Sequence, residues 1–165
     1  MISRTDIIKI LNKHANIHMD PATITRYQQA GLIHASTYVK KRNDNKNFRK
    51  AYSPLAVIEF ATAALLLRGD WMEPKSVVRL GHCTDSEVKY GRLVFYSKNG
   101  NLLPKGTKNK WKKTLQEYEN TYSTEHPDMP ASLIKARRQY FYELYKSTFW
   151  RMHDVLKESL KEEMK

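Results

Sequence analysis

The chain opens with apolar residues at helical spacing. Residues 7–11 contain three isoleucines and a leucine in a pattern that predicts an amphipathic helix, with Thr5 ahead of them as its cap. Residues 12–20 lose this periodicity and bring in short polar side chains. We therefore expect a first short helix followed by a turn.

A second helix is predicted over residues 22–30. Asp20 is a favourable N-cap, and Pro21 suits the first helical position, where its missing N–H is not needed. Gly31 can adopt the left-handed conformation that ends many helices. Two short helices separated by a tight turn predict a helix-turn-helix.

Residues 32–51 are polar and strongly basic, with few bulky apolar side chains. They predict a two-stranded hairpin that turns around residues 43–46, where asparagines and Asp44 tolerate turn geometry. Ser53 and Pro54 then cap a helix over residues 55–67 that is apolar on most of its surface. Such a helix belongs in a core.

The second half of the chain is predicted to be helical. Thr84 and Glu87 have the spacing of a capping box at the start of one helix. Residues 98–113 carry six lysines and no acidic residue, which predicts a solvated, mobile segment. Helix resumes over residues 111–122, and a long last helix covers residues 132–163.

These patterns predict a mainly α fold. Residues 1–82 form an N-terminal helix-turn-helix domain with a small β-hairpin, residues 83–130 a helical and lysine-rich connecting region, and residues 131–165 a C-terminal amphipathic helix. A chain of 165 residues has room for one small domain with such a helical extension.

The charge balance favours a polyanionic partner. Twenty-nine Lys and Arg residues oppose 17 Asp and Glu residues, for a formal net charge of +12, while the 41% of hydrophobic residues is typical of a folded chain. Nucleic acid is the commonest polyanion that such a surface attracts, and an anionic membrane surface is the alternative on charge alone.

Other functional classes find little support. Cys83 is the single cysteine, and the six histidines are scattered without the spacing of metal ligands or of a catalytic triad. We expect neither an enzyme nor a cofactor or metal site, and we expect Cys83 to be a buried small hydrophobe. The absence of a disulfide pair and of an apolar signal-peptide core predicts a cytoplasmic, nucleoid-associated protein.

The run from Thr23 to Ile33 resembles the recognition helix of the MerR family, in which Thr-Leu-Arg-Tyr-Tyr-Glu leads to Gly-Leu-Leu or Gly-Leu-Ile. The similarity extends over about seventy residues, since residues 48–53 (Phe-Arg-Lys-Ala-Tyr-Ser) are similar to the family's Tyr-Arg-x-Tyr wing strand. The resemblance implies a winged helix-turn-helix. Thr25 takes the place of the family's DNA-contacting arginine, and either Arg49 or Lys50 takes that of the wing arginine.

Two groups of residues form the predicted DNA interface. A helix that enters the major groove needs short polar residues, which let the backbone approach, and donors for phosphates or base edges. A basic wing neutralises backbone phosphates, although a solvated loop is the alternative reading of such a cluster. The helix contributes Thr23, Thr25, Arg26, Tyr27 and Gln28, and the wing contributes Lys40, Lys41, Arg42, Lys46, Arg49 and Lys50.

The last helix carries an apolar stripe that requires a partner surface. The resemblance implies an antiparallel helix pair, and hence a homodimer with coiled-coil packing. The alternatives are packing against the chain's own domain and, through the flanking cations, an acidic membrane surface. The stripe consists of Ile134, Phe141, Tyr145, Phe149, Met152, Leu156 and Leu160.

The sequence thus predicts a sequence-specific binder of double-stranded DNA, a dimeric transcriptional regulator of MerR type. A second hypothesis is an architectural or plasmid or phage segregation protein. Such a protein holds DNA with its head and a protein partner or a membrane surface with its C-terminal helix.

Overall fold

The computed structural model describes residues 2–33, 36–40, 48–68, 83–99 and 108–163, and these are mainly helical. The chain divides into two compact units: unit 1 contains Met1–His82 and Thr148–Lys165, and unit 2 contains Cys83–Ser147. The elements in chain order are β1 (Ile2–Ser3), α1 (Arg4–Ala15), α2 (Pro21–Gln29), β2 (Ser36–Lys40), β3 (Phe48–Tyr52), α3 (Pro54–Arg68), α4 (Asp85–Asn99), α5 (Lys108–Glu125) and α6 (Ala131–Glu163).

Helix α1 is longer at both ends than the apolar pattern predicts. Its N-cap is Ser3 rather than Thr5, because the Ser3 hydroxyl accepts a hydrogen bond from the Asp6 N–H at 3.1 Å. The helix continues to Ala15 and ends where Asn16 adopts a left-handed conformation, with φ of 52°. The turn is therefore shorter than predicted and occupies residues 16–20.

Helix α2 confirms both of its predicted boundaries to within a residue. The Asp20 carboxylate accepts a hydrogen bond from the Thr23 N–H at 2.7 Å, and Pro21 is the first helical residue. Gly31 has φ of 75°, a conformation that side chains disfavour, so glycine ends the helix at low cost. Ile24 and Tyr27 are the buried residues of this helix and pack into the core of unit 1, to which α2 belongs.

The hairpin predicted after α2 is present, with one strand that the sequence did not suggest. β2 and β3 pair antiparallel, with Val39 opposite Arg49 and Tyr38 opposite Lys50. β1 pairs with the other edge of β3, which gives a three-stranded sheet in the order β1-β3-β2. A two-residue strand has too little alternation to be recognised in sequence, and only its partner reveals it. The predicted turn over residues 43–46 lies outside the described residues.

Helix α3 confirms the prediction of a buried helix. The Ser53 hydroxyl accepts from the Ala56 N–H at 3.3 Å, and every residue from 56 to 66 is buried. Two of these are polar: Glu59 is fully buried, and the Thr62 hydroxyl donates to the Ile58 carbonyl at 2.7 Å. The remainder supplies aliphatic and aromatic surface to the core of unit 1.

In unit 2, α4 begins at the predicted capping box. The Thr84 N–H donates to the Glu87 carboxylate at 2.9 Å, and the Glu87 N–H donates to the Thr84 hydroxyl at 3.2 Å. The prediction of a mobile segment over residues 98–113 is wrong at both ends, since α4 reaches Asn99 and α5 begins at Lys108. Residues 100–107 lie outside the described residues.

Aromatic side chains form the core of unit 2. Tyr90 meets Tyr122 edge to face at 5.2 Å between ring centroids, and Phe95 packs on Tyr145 at 5.6 Å. Burial raises the pKa of both Tyr90 and Tyr122. An ion pair between Arg138 and Glu119 also joins α5 to α6. Contacts between aromatic rings therefore form much of the packing among these helices.

Helix α6 is the long C-terminal helix that the sequence predicts. It follows a break over residues 126–130, and its residues are shared between the units, with Thr148 the first that belongs to unit 1. The first division between the units falls after residue 82, and the second falls within α6, after Ser147.

Candidate nucleic-acid interface

The exposed side of α2 is the centre of the candidate site. Ala22, Arg26 and Gln29 are exposed and Thr25 is half-buried, at helical positions separated by three, four and seven residues. These four residues are called the α2 face below. The face combines two short side chains, one cation and one amide, which is the mixture that groove binding requires.

The two predicted threonines of α2 have different surroundings. Thr23 is half-buried, and its N–H is occupied by the Asp20 cap. Hydrogen bonds from the Thr23 hydroxyl and N–H hold the pKa of Asp20 below its usual value, so the cap stays charged. The Thr25 hydroxyl donates to the Pro21 carbonyl at 3.2 Å, which leaves its oxygen lone pairs directed away from the helix backbone.

Tyr27 was predicted to contact DNA, and the structure corrects this. Its side chain is fully buried on the core side of α2, one position away from the exposed Arg26. The Arg26 guanidinium lies 4.9 Å from the centroid of the Tyr27 ring, within cation–π range. The Tyr27 ring therefore contacts the Arg26 guanidinium and has no exposed surface that a ligand could reach.

Gln28 is also placed differently from the prediction. Its side-chain oxygen accepts a hydrogen bond from the Tyr52 hydroxyl at 2.9 Å, which ties α2 to β3 in a half-buried setting. An amide that reads adenine needs both its oxygen and its nitrogen at the base edge. The neighbouring Gln29 is exposed and carries the same amide. Gln29 is thus the better-placed amide, and the sequence alone gave no means of choosing between them.

The wing cations are described in part. Lys40 ends β2, and Arg49 and Lys50 lie on β3, each in the antiparallel ladder with a defined partner. Lys41, Arg42 and Lys46 lie outside the described residues. β2 is the next element after α2 along the chain, and Tyr52 at the end of β3 contacts Gln28 of α2.

Arg4 is a further cation at this site that sequence reasoning missed. It is exposed in the first turn of α1, and its Nη1 lies 3.4 Å from the Thr25 hydroxyl oxygen. Helix α1 also contacts both α2 and β3. The residue is separated from Thr25 by 21 positions, so no local pattern could have placed it beside the α2 face.

The predicted dimerisation stripe is buried within the single chain. Phe149, Met152, Leu156 and Leu160 belong to the core of unit 1, and the others to that of unit 2. Packing against the chain's own domain, the alternative that the sequence left open, is therefore the one observed, and a second helix has no access to this face. The stripe residues that belong to unit 2 are Ile134, Phe141 and Tyr145.

The remaining candidate chemistry is sparse in the described residues. Cys83 is half-buried, and its burial raises the pKa of the thiol to about 11, which keeps it protonated and unreactive near neutral pH. Within the described ranges no cluster of His, Cys, Asp or Glu side chains could hold a metal ion. Among the helices of those ranges, none is both long and apolar enough to cross a membrane.

Comparison with protein-family models, with curated proteins and with solved structures finds no match for this chain.

Proposed function

We propose that the protein binds double-stranded DNA through the α2 face and the β2–β3 hairpin. The observation that carries the proposal is the α2 face, on which Ala22, Arg26 and Gln29 are exposed and Thr25 is half-buried. Two helices joined by a short turn and followed by a basic hairpin have the order of a winged helix-turn-helix.

Each part of this surface has a role in the proposal. Ala22 and Thr25 are short, so the α2 backbone can approach the floor of the major groove. Arg26 can donate to a phosphate or to the acceptors of guanine, and Gln29 can read an adenine edge with its amide. The hairpin cations neutralise phosphates beside the groove, which adds affinity without sequence preference.

The biological role that we propose within this class is transcriptional regulation. A protein that reads base edges is suited to transcriptional regulation, and the resemblance to the MerR family supports that role. Association into a dimer on a two-fold site stays a prediction. Any dimer must use surface outside the seven stripe residues, because these are buried in the single chain.

The salt dependence of binding tests the proposal. On a duplex selected from a random pool, roughly four phosphate contacts per protomer should make log affinity fall with log salt with a slope of about −3.6 per protomer. Arg26→Ala should weaken binding about tenfold, as expected for the loss of one charged hydrogen bond. Fluorescence anisotropy over a salt series measures both quantities. A slope near zero for the wild type would reject DNA binding.

The two glutamines provide a matched pair for the question of base reading. Gln29→Ala should reduce discrimination between selected and scrambled duplexes by about tenfold and leave the salt slope unchanged. Gln28→Ala should lower stability by about 1 kcal/mol through loss of its bond to Tyr52, with discrimination preserved. Competition binding and thermal melting distinguish the two. If Gln28→Ala loses discrimination while Gln29→Ala keeps it, α2 presents a different side to DNA.

A further inference from the structure

Arg4 lies beside the α2 face although it belongs to another helix. Its guanidinium Nη1 is 3.4 Å from the Thr25 hydroxyl oxygen, and both side chains reach solvent. The Thr25 hydroxyl donates its own hydrogen to the Pro21 carbonyl, so towards Arg4 it acts as an acceptor. Because Thr25 is neutral, this contact orients the guanidinium without itself cancelling the charge of Arg4.

The sheet fixes where this cation stands. β1 pairs with the end of β3, Ser3 opposite Ala51, and the chain turns into α1 at Arg4. Ser3 also caps α1, so the residue before Arg4 is held by both the sheet and the helix cap. The first helical turn of α1 cannot shift without breaking that pairing. Arg4 thus starts from a fixed backbone, so a ligand has to order only its side chain.

We propose that Arg4 is a phosphate-binding residue of the DNA interface, positioned by Thr25. The inference rests on the proposed function and adds a contact that it does not contain. A guanidinium has five N–H donors, so one bond to Thr25 leaves donors for a bidentate contact with a phosphate. In a helix-turn-helix the first helix crosses the DNA backbone while the second lies in the groove, and Arg4 is on the first helix.

The short, neutral side chain at position 25 favours a role for Arg4 at this surface. The resemblance places Thr25 where MerR-type recognition helices carry a DNA-contacting arginine. A threonine has no charge to offer a phosphate, and its oxygen accepts from the Arg4 guanidinium. The charge that α2 lacks at residue 25 is therefore supplied from α1, at the same place on the surface.

A double-mutant cycle on the full chain tests this. Arg4→Ala should weaken binding to selected and scrambled duplexes alike, by about tenfold, and flatten the salt slope by about 0.9 per protomer. Thr25→Val keeps the side-chain shape and removes the acceptor, and should weaken binding about threefold. The double variant should bind no more weakly than Arg4→Ala alone, because Thr25 acts through Arg4.

Arg4→Lys and thermal melting serve as controls. The lysine keeps the charge and should keep the salt slope, but it should lose part of the affinity, because an ammonium lacks the planar fork that spans two acceptors. All variants should melt within about 2 °C of the wild type, since Arg4 and Thr25 are outside the core. A purely structural role for Arg4 would change the melting temperature and leave the salt slope unaltered, which would overturn the inference.

The outcomes separate this inference from the function on which it rests. If the wild type binds no duplex, DNA binding itself fails. If the wild type binds and Arg26→Ala weakens it, but Arg4→Ala leaves affinity and slope unchanged, then only the role of Arg4 is rejected. If Arg4→Ala reduces discrimination without changing the slope, Arg4 reads a base and the phosphate assignment is wrong.

Discussion

Replacing Phe149 by glutamate is expected to unfold the protein rather than to separate a dimer. Phe149 is almost completely buried in unit 1, and its removal opens a cavity in which a carboxylate has no partner. The combined cost is at least about 4 kcal/mol, against a total stability of roughly 5–15 kcal/mol for a folded domain. Circular dichroism should show loss of helical signal, or a transition shifted to much lower temperature.

Trp150→Glu is the matched control on the same helix. Trp150 is adjacent to Phe149 and is 45% exposed, so a charge there remains hydrated and should cost about 1 kcal/mol. Sedimentation equilibrium of the wild type and both variants completes the test. A Phe149→Glu chain that keeps wild-type helicity and turns a dimer into folded monomers would show that the stripe is a dimer interface after all.

Gly91→Ala is expected to destabilise unit 2, although alanine is the better helix former. A Cβ at residue 91 would lie 2.5 Å from the Phe141 carbonyl oxygen and 2.7 Å from the Tyr145 Cβ. Backbone cannot rotate away as a flexible side chain can, so α4 and α6 must separate. Overpacking of this kind costs about 1–3 kcal/mol, or a drop of about 2–12 °C in melting temperature for a chain of this length.

An alanine-to-glycine substitution at an exposed site provides a comparison for the stability change caused by Gly91→Ala. Ala136 is exposed on α6, and Ala136→Gly should cost only the intrinsic helix preference of about 1 kcal/mol. Thermal and urea denaturation of both variants give the comparison. If Gly91→Ala is as stable as the wild type or more so, the helices do not approach each other as closely as the structure describes.

Much of the local structure follows from the sequence because its causes are local. The Asp20-Pro21 start of α2, the end at Gly31 and the Thr84-Glu87 box each depend on hydrogen bonds or backbone angles within a few residues. The apolar composition of α3 likewise predicts its burial whatever surrounds it. These features were predicted correctly, with boundaries within one or two residues.

Where local signals compete, the sequence pattern misplaced the boundary. Ser3 and Thr5 can both cap a helix, and pairing of β1 with β3 decides for Ser3 by fixing the chain just before α1. The lysines near residue 108 suggested a mobile segment, yet α5 begins there. Helix α5 contacts α4, and such packing outweighs weak local preference.

The candidate site divides in the same way. The sequence by itself determined that α2 is a short polar helix followed by a basic hairpin, because composition and caps are properties of the chain. Only the tertiary structure decided that Tyr27 faces the core, that Gln28 is bound to Tyr52 while Gln29 is exposed, and that Arg4 stands beside Thr25. It also decided that the apolar stripe of α6 is covered by its own chain. The reason is physical: an apolar stripe specifies that it will be buried, but any apolar surface satisfies it, and its partner is chosen by contacts between residues far apart in sequence.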